Sequence, residues 1–327
     1  MAFECNLEDN IFRLQEGLSS QIYQHGGYST FKIYDPKLRL INKASVCDRL
    51  VHQLVFKELC RIFESNFICH SYSSRLSKGS HLAIGNLAKT LRKASRNYSL
   101  STFALKCDVK KFFASVPHQK LLEIIKRKVS DKKFLWLIEE IISSFAVPVD
   151  KFPQRERERE RELKDNAIKH DLKRGLPIGN VTSQIFANIY LNELDQFIKH
   201  QLKIRHYFRY ADDFIIVSDN HDYLRFVLEE IKDFLANKLL LELHPDKIEI
   251  RKFRQGVDFL GYVVLPHYIV LRTKTKRRMM KKLARKRKLL LTGELDAEKY
   301  RQSVQSYLGI LKHCRGYKLE KLIKDRF

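Results

Sequence analysis

The chain has few of the residues that would build a metal finger, a disulfide framework or a membrane span. Only six of its 327 residues are cysteines, and no two of them form a Cys-x-x-Cys pair. This spacing gives no support to a zinc finger or a disulfide-stapled fold. No apolar run approaches the roughly 18 residues of a membrane helix. Residues 1–10 contain acids and no apolar core, so we expect no signal peptide.

Acidic residues are also scarce relative to basic ones. The sequence contains 62 Lys and Arg but 38 Asp and Glu, which gives a formal net charge of +24. Such a surplus predicts a polyanionic partner, with nucleic acid as the first interpretation and an anionic membrane surface as the second. A basic protein that is merely soluble stays open at this point. Hydrophobic residues make up 44% of the chain, so it is globular.

The periodic segments predict an α+β protein with a basic helical end. We expect a helical segment over residues 1–29, a sheet-containing region over 30–265 and helices over 266–327. In the middle region the patterns predict a hairpin over 28–42, helices over 46–66, 118–129, 131–146, 183–201 and 222–240, and strands over 102–109, 206–210, 214–217, 247–253 and 257–264.

A charged insertion of about 152–174 interrupts the middle region. It contains the run RERERERE at residues 155–162. In a helix this alternation would place like charges at i,i+4 and opposite charges at i,i+3. We interpret the segment as an exposed arm or mobile insertion; a solvated helix extension without a role is the alternative.

Two adjacent carboxylates, Asp212 and Asp213, lie between two β-type runs. Consecutive residues of a strand point to opposite faces, but both can converge at a hairpin tip. Such a pair is most often ordinary turn chemistry. A third acid, Asp108, ends an apolar strand, where a carboxylate is costly unless it is paired or metal-bound. Oxygen ligands favour Mg²⁺ over zinc, and three carboxylates suit two ions about 4 Å apart, an arrangement that performs phosphoryl transfer.

The motifs around these acids resemble those of reverse transcriptases. Tyr210-Ala211-Asp212-Asp213 is similar to the Y-x-D-D box of that family. Five further segments resemble its other boxes in the same order: YDPKLRLI (34–41), SVCDRLVHQ (45–53), FALKCDVKKFFASVPHQKL (103–121), GLPIGNVTSQIFANIYLNELD (175–195) and HPDKIEIRKFRQGVDFLGY (244–262). The resemblance implies a right-hand polymerase fold, with fingers and palm over 30–265 and a short basic helical thumb over 266–327.

One box departs from the common family pattern. Most reverse transcriptases have Q-G-x-x-x-S-P here, whereas this chain has Ile178 at the first position and Gln184 at the last. The variant is similar to reverse transcriptases of diversity-generating retroelements. That resemblance implies copying of a template-repeat RNA with errors at adenines, mutagenic retrohoming, a small basic accessory protein, and a cytoplasmic enzyme of bacterial, archaeal or phage origin.

The resemblance also assigns roles to single residues at the catalytic centre. Asp108, Asp212 and Asp213, with the Val109 carbonyl, would hold two Mg²⁺ ions, and Lys247 would donate a proton to pyrophosphate. Phe113, or less favourably Phe112, would lie under the sugar and select dNTPs; ordinary core packing is the competing interpretation for both. The remaining nucleotide-binding candidates are Lys37, Arg39, Arg49, Ile178 and Gln184.

The basic end of the chain predicts the contact with template RNA and the cDNA primer strand. Eleven Lys and Arg and no acid lie between residues 272 and 288, and such cations bind phosphates without sequence preference. The candidates are Lys276, Arg277, Arg278, Lys281, Lys282 and Arg285. A membrane-binding or import helix is the alternative. We expect no RNase H, endonuclease or maturase extension beyond this region.

Two classes of function remain open from the sequence. The first is an RNA-directed DNA polymerase of a retroelement, with retron-like, intron-like and phage-defence reverse transcriptases as rivals. The second is a scaffold of the same fold that binds nucleic acid without copying it. The presence of all three carboxylates favours the enzyme.

Overall fold

The computed structural model describes residues 5–34, 37–147 and 173–327. The RERERERE run (155–162) and nearly all of the predicted insertion lie outside the described residues.

The described residues form an α+β fold, as predicted. The helices, in chain order, are α1 (Leu7–Ser19), α2 (Val46–Phe63), α3 (Ser80–Ala94), α4 (Phe112–Ser115), α5 (His118–Lys126), α6 (Lys132–Ser143), α7 (Val181–Gln196), α8 (His221–Lys238), α9 (Thr273–Leu291), α10 (Ala297–Leu311) and α11 (Tyr317–Arg326). The strands are β1 (Ser29–Ile33), β2 (Arg39–Lys43), β3 (Phe103–Asp108), β4 (Tyr207–Tyr210), β5 (Asp213–Ser218), β6 (Glu249–Lys252), β7 (Val257–Phe259), β8 (Tyr262–Val264) and β9 (Ile269–Leu271). Within this described part, none of the helices combines the length and hydrophobicity needed to cross a bilayer.

The central sheet holds the predicted acids at one end. Its four strands are antiparallel in the order β4-β5-β3-β6. The register pairs Asp108 at the end of β3 with Asp213 at the start of β5, and Tyr210 at the end of β4 with the same Asp213. A one-residue slip would move each side chain to the other face of the sheet. The register therefore fixes which carboxylates meet.

Helix α7 is the most enclosed helix that packs on this sheet. Of the 16 residues of this helix, Val181–Gln196, twelve are buried, including every residue from Ile185 to Asn192. A helix that is buried on most of its sides lies in the protein interior. It continues as one π-helical segment, Phe197–Gln201. Helix α7 therefore anchors the loop before it, which carries Ile178, to the core.

The first described segment contacts the core beyond its helix. The helix of the predicted segment over residues 1–29 is shorter than expected, because α1 ends at Ser19 and Gln21 has a left-handed φ of 57°. The chain then runs without a helix to β1. In this stretch Tyr23 is buried and donates a hydrogen bond from its hydroxyl to Asp48 Oδ1 at 2.6 Å. The contact ties the segment to the first turn of α2.

The structure contains a second sheet where the sequence predicts a single strand over 257–264. The prediction of one strand is wrong. The strand folds back at Leu260 and Gly261, whose φ values are 49° and 88°, and β9 completes the antiparallel order β7-β8-β9. The predicted boundary at 265 would separate paired strands. The C-terminal helical region, α9 to α11, therefore begins at Thr273 rather than at 266. It has its own small core, formed by Met279, Leu283, Leu311, Leu319 and Ile323.

Helix α3 was not predicted. Its buried residues Ala83, Ile84, Leu87 and Leu91 follow helical spacing, so the signal was present in the sequence. They pack with residues of the second sheet, including Phe259 and Tyr262, in a separate cluster of the core. Helix α3 therefore supports the second sheet from one face.

Candidate active site

The backbone brings the three predicted carboxylates to one end of the central sheet. Val109 N–H donates to the Asp212 carbonyl at 3.1 Å, and His244 N–H donates to the Asp108 carbonyl at 2.8 Å. The two-residue turn between β4 and β5 requires a left-handed residue, and Ala211 takes it with φ 52°. An alanine in this conformation is strained. We call Asp108, Asp212 and Asp213 the carboxylate cluster.

Burial and the repulsion of neighbouring carboxylates make Asp212 and Asp213 hard to ionise. Burial raises the pKa of Asp212, and the nearby charge of Asp108 raises it further. Burial also raises the pKa of Asp213 to about 7; Lys106 opposes this shift, and Asp108 and Asp212 add to it. A cation placed among the carboxylates would reverse both effects.

Two lysines contact the carboxylate cluster. Lys247 Nζ lies 2.5 Å from Asp108 Oδ1. Lys106 Nζ lies 3.9 Å from Asp213 Oδ2 and 3.8 Å from Asp258 Oδ1, and Asp258 in turn pairs with Arg272 at the start of the C-terminal helical region. Sequence reasoning named Lys247 but missed Lys106, Asp258 and Arg272. Lys106 was detectable, because residues i and i+2 of a strand share a face and Lys106 lies two residues before Asp108.

The donor atoms fit a hard divalent cation. Asp213 Oδ1 is buried and has no hydrogen-bond partner among the described residues. Within that same part of the chain, no three or more His, Cys, Asp or Glu side chains are grouped so that they could hold a metal ion by themselves. Mg²⁺ usually takes one or two carboxylates and completes its shell with water and substrate phosphate. The carboxylate cluster therefore suits an open Mg²⁺ site rather than a closed protein cage.

A cavity of about 490 Å³ opens beside the carboxylate cluster. Lys37, from the turn between β1 and β2, shares its lining with Asp108, Asp213 and Lys247. Arg39 lies close enough to Asp212 to lower the pKa of that carboxyl, against the larger effect of burial. Arg49 is exposed in the first turn of α2 and does not line this cavity. The structure thus brings two of the three predicted triphosphate contacts near the acids.

The two predicted sugar-contacting phenylalanines have different surroundings. Phe112 is 1% exposed and its ring packs 6.5 Å from that of Tyr190. This enclosed position matches the competing interpretation of Phe112 as core packing, and a contact of Phe112 with the nucleotide stays a prediction. Phe113 is partly exposed, and its ring meets that of Phe112 edge-on at 5.4 Å. Phe113 is the one of the two that a substrate can reach.

The residues of the variant box lie next to the β1–β2 hairpin. The carbonyl of Ile178, which is partly exposed, accepts a hydrogen bond from Asn42 N–H at 2.8 Å. Gly179 follows with φ 122°, and a Cβ there would lie 2.7 Å from Ile41 Cγ2. Gln184 is exposed, and its Oε1 accepts a hydrogen bond from Ser74 Oγ at 2.9 Å. Neither Ile178 nor Gln184 lines the cavity beside the acids.

The six basic residues predicted to bind nucleic acid all lie on α9. Four are exposed: Lys276, Arg277, Lys281 and Arg285. Arg278 and Lys282 are partly buried, where they line a small cavity of about 140 Å³ with Met279 and Tyr307. Arg277, Lys281 and Arg285 are spaced four residues apart and share a cationic face away from the buried Met279 and Leu283, whereas Lys276 lies nearer the buried side.

Comparison with known proteins agrees with this geometry. Residues 32–264 match the family model described as reverse transcriptase (RNA-dependent DNA polymerase). The chain is 24% identical to Protein YkfC of Escherichia coli over 86% of this chain and 74% of that one. It is 25% identical to the group II intron-encoded protein LtrA of Lactococcus lactis, over 69% of this chain and 44% of that one.

Two further similarities are to an intron protein and to a solved structure. The putative COX1/OXI3 intron 2 protein of Saccharomyces cerevisiae is 23% identical over 73% of this chain and 31% of that one. This chain thus spans less than half the length of either intron protein. Among solved structures, apo telomerase of Candida tropicalis superposes with a TM-score of 0.47 and 15% identity, over 75% of this chain and 54% of that one. The family match covers most of the chain and includes the whole carboxylate cluster. The chain belongs to the reverse transcriptase family of RNA-dependent DNA polymerases, which have the right-hand polymerase fold.

Proposed function

We propose that the chain extends a DNA primer on an RNA template by two-metal phosphoryl transfer at the carboxylate cluster. The observation that carries this proposal is the convergence of Asp108, Asp212 and Asp213 at one end of the central sheet, fixed by the register of β3 against β5. Phosphoryl transfer needs positioned reactants and neutralised charge more than it needs covalent chemistry from the protein.

The acidic and basic side chains of the carboxylate cluster and its surroundings have different roles in this proposal. Asp108, Asp212 and Asp213, with the Val109 carbonyl, would hold two Mg²⁺ ions. When bound, these ions supply activation of the primer 3′-hydroxyl and charge stabilisation at the phosphate. Lys247 lines the cavity. It would donate a proton to the leaving pyrophosphate.

The bound nucleotide would meet three further parts of the chain. Lys37 and Arg39 supply positive charge for the triphosphate, and Arg49 joins them if the hairpin closes over the substrate. The partly exposed ring of Phe113 would exclude a ribose 2′-hydroxyl. The exposed cations of α9 would hold the template–primer backbone.

We further propose that the template is the template-repeat RNA of a diversity-generating retroelement, copied with errors at adenines. The support is Ile178, which replaces a glutamine typical of the family, together with Gln184 at the end of the same box. A branched apolar side chain cannot make the hydrogen bond of a glutamine, so one polar check on the incoming nucleotide is lost. A small basic accessory protein would assist, and the cDNA would serve mutagenic retrohoming.

The direct test of the polymerase proposal is primer extension on an RNA template with Mg²⁺ and dNTPs. We expect extended DNA that disappears when EDTA removes the metal. Absence of product, with and without a basic accessory protein, would favour a scaffold that binds nucleic acid without copying it.

The fidelity proposal is tested by Ile178→Gln. We expect fewer misincorporations opposite template adenine when the cDNA is sequenced, and little change opposite other bases. Leu82→Gln is the matched control, because Leu82 is exposed on α3. Equal adenine error rates in wild type and Ile178→Gln would overturn the role of Ile178.

The intron-encoded relatives favour a second candidate template, an intron RNA. Sequencing of the RNA that copurifies with the chain from its native cell separates the candidates. A template repeat that differs from a nearby gene mainly at adenines supports the retroelement. Intron RNA supports the second candidate, and a structured RNA joined to its own cDNA supports a retron-like or phage-defence enzyme.

A further inference from the structure

A second cleft lies at the end of the β8–β9 hairpin that is away from the carboxylate cluster. Its volume is about 620 Å³, and α3, the 265–268 turn and the loop between α10 and α11 enclose it. The turn is closed by Leu265 N–H, which donates to the Tyr268 carbonyl at 2.9 Å, and Arg315 N–H donates to the Ile269 carbonyl at 2.7 Å. These bonds fix the C-terminal helical region against the sheet. We call this cavity the basic cleft.

The lining of the basic cleft combines cations with aromatic rings. Its cations are Lys89, Arg92, Lys312 and Arg315, all of them exposed, and no Asp or Glu belongs to the lining. Its rings are those of Tyr98, Tyr268, His267 and His313. A lining of this kind is suited to phosphate groups and to flat, uncharged rings at the same time.

The rings are held in place by the surrounding chain. Tyr98 lies 4.5 Å from the His267 ring, and the Arg315 guanidinium lies 5.3 Å from the centre of the Tyr268 ring. Tyr268 nevertheless remains 42% exposed. A large aromatic side chain that is both fixed and exposed is available to stack on a ligand.

The loop that presents Tyr98 is strained. Arg96, Asn97 and Tyr98 have φ values of 45°, 57° and 73°, a run of three left-handed residues without a glycine. Arg92 Nε donates to Asn97 Oδ1 at 2.9 Å, and Tyr98 N–H donates to Ser95 Oγ at 3.0 Å. Left-handed residues other than glycine persist where the surrounding contacts hold them, and they concentrate at functional sites.

The basic cleft is separate from the candidate active site. It shares no lining residue with the cavity beside the carboxylate cluster. Strand β9 connects the two, from Ile269 in the basic cleft to Leu271 just before Arg272, and three strand residues span about 10 Å. A ligand in the basic cleft can therefore be bound while the active site is occupied.

We propose that the basic cleft binds single-stranded nucleic acid. The phosphates contact Lys89, Arg92, Lys312 and Arg315, and a base stacks on Tyr268. Single strands suit this site because their bases expose a stacking face, which the bases of a duplex do not. The volume admits a nucleotide and its neighbours' phosphates, whereas a flat membrane surface would not enter a concave cleft. The bound single strand lies outside the cavity beside the carboxylate cluster, and the inference does not depend on the retroelement proposal.

The test uses the full chain saturated with a short primer–template duplex whose primer lacks a 3′-hydroxyl. A fluorescent ten-nucleotide single strand is then added, as RNA in one arm and DNA in the other, and its affinity is measured by anisotropy. We expect K89A/R92A/K312A/R315A to weaken binding at least tenfold and to reduce the salt dependence by about 0.7 per lost phosphate contact. In a separate assay, extension of the same duplex with a primer that carries a 3′-hydroxyl should stay within twofold of wild type.

Two matched controls separate a site from general charge. The variant K57A/K133A/R225A/K238A removes the same charge from four exposed residues elsewhere, and we expect it to bind the single strand like wild type. Tyr268→Ala should weaken binding about fivefold or more, whereas Tyr268→Phe should retain it, because the ring is what stacks. This pair also keeps the test decisive if the fourfold cleft variant does not fold.

Three results would overturn the proposal. The first is unchanged single-strand binding by the cleft variant. The second is equal weakening by the control variant, which would mean that net charge alone acts. The third is equal binding by Tyr268→Ala and wild type together with full competition by polyphosphate, which would leave no role for the bases. The RNA and DNA arms tell which strand the site prefers.

Discussion

The carboxylate end of the central sheet and the basic helix α9 use charge in opposite ways. At the sheet end, a few charges are enclosed and lie close to named partners of opposite charge, as Asp108 does to Lys247 at 2.5 Å and Asp213 does to Lys106 at 3.9 Å. On α9, the exposed cations are many and lie on a surface open to solvent. The first arrangement depends on the position of single atoms, whereas the second depends on how many cations there are. Single substitutions should therefore be decisive at the sheet end and gradual on α9.

The largest effect is expected from Asp213→Asn. The change removes a charge from the carboxylate cluster but keeps the size of the side chain. We expect single-turnover primer extension to fall by at least about 10²–10³-fold, as when one preorganised electrostatic group is removed from an active site. Binding of the primer–template should change little. Asp219→Asn, an exposed acid just after β5, is the control and should retain activity. An unchanged extension rate in Asp213→Asn would contradict the expectation that single substitutions at the carboxylate end of the sheet are decisive.

The next largest effect should come from the buried ion pair behind the β4–β5 turn. Arg209 Nη2 donates to Asp195 Oδ2 at 2.6 Å with both side chains fully buried, and Arg209 Nη1 donates to the Ala211 carbonyl at 3.3 Å. Arg209→Met would leave the Asp195 charge buried without its partner. We expect urea unfolding to show a loss of about 3–5 kcal/mol.

An exposed ion pair supplies the control for Arg209→Met. Lys232 and Glu229 are one turn apart on α8, with side chains 40% and 66% exposed. Lys232→Ala should cost less than about 1 kcal/mol. Similar losses for the two variants would show that burial does not set the strength of these contacts.

A buried histidine tests the contrast between enclosed and exposed charges through the pH dependence of stability. His52 Nδ1 lies 2.5 Å from Thr182 Oγ1 and its Nε2 lies 2.9 Å from His25 Nε2. Burial lowers the pKa of His52 to about 4, with His25 adding to the shift and Asp48 opposing it. Between pH 6.5 and 4 the unfolded chain therefore binds more protons than the folded one, so stability is complete above pH 6.5 and falls as the pH drops towards 4.

The measurement is the free energy of unfolding across this pH window. His52→Gln should show a shallower loss between pH 6.5 and 4 than wild type. His200→Gln, at an exposed position, should keep the wild-type slope. An equal slope in wild type and His52→Gln would remove His52 as the source of the acid sensitivity.

The smallest single effects are expected on α9. Lys276→Ala, Lys281→Ala and Arg285→Ala should each weaken primer–template binding about two- to fivefold, and each should reduce the salt slope by about 0.9. The three together should approach the product of the single effects. Lys318→Ala and Lys321→Ala, exposed on α11, serve as controls. A hundredfold loss of primer–template affinity from any one substitution would mean that α9 makes a specific contact. It would contradict the expectation that substitutions on α9 have gradual effects.

The sequence predicted the elements that carry the acids because their signals are local. Asp108 ends an apolar run, and Asp212 and Asp213 separate two others. The ends of these strands and the turn between two of them could therefore be predicted from the sequence. The sequence did not predict the fold-back at Leu260, because a leucine gives no warning of a left-handed φ. The sequence also did not predict that Phe112 is buried and Phe113 partly exposed. The burial of Phe112 depends on Tyr190, which is far from it in the chain.

The partners of the carboxylate cluster also required the structure. Lys106 meets Asp213 through the pairing of β3 with β5, and Asp258 reaches Lys106 from the second sheet. Contacts between residues this far apart in the chain leave no short-range pattern. The family boxes identified the acids, but only the folded chain shows which cations neutralise them.

The central claim is that the three carboxylates act together as the cation-binding centre of DNA synthesis. It is tested most directly by counting bound Mn²⁺, by electron paramagnetic resonance, in complexes of the chain with a 3′-deoxy primer, RNA template and dNTP. The account predicts two bound ions in wild type and in Asp219→Asn, and fewer in Asp213→Asn. The same number of bound ions in Asp213→Asn as in wild type would contradict it.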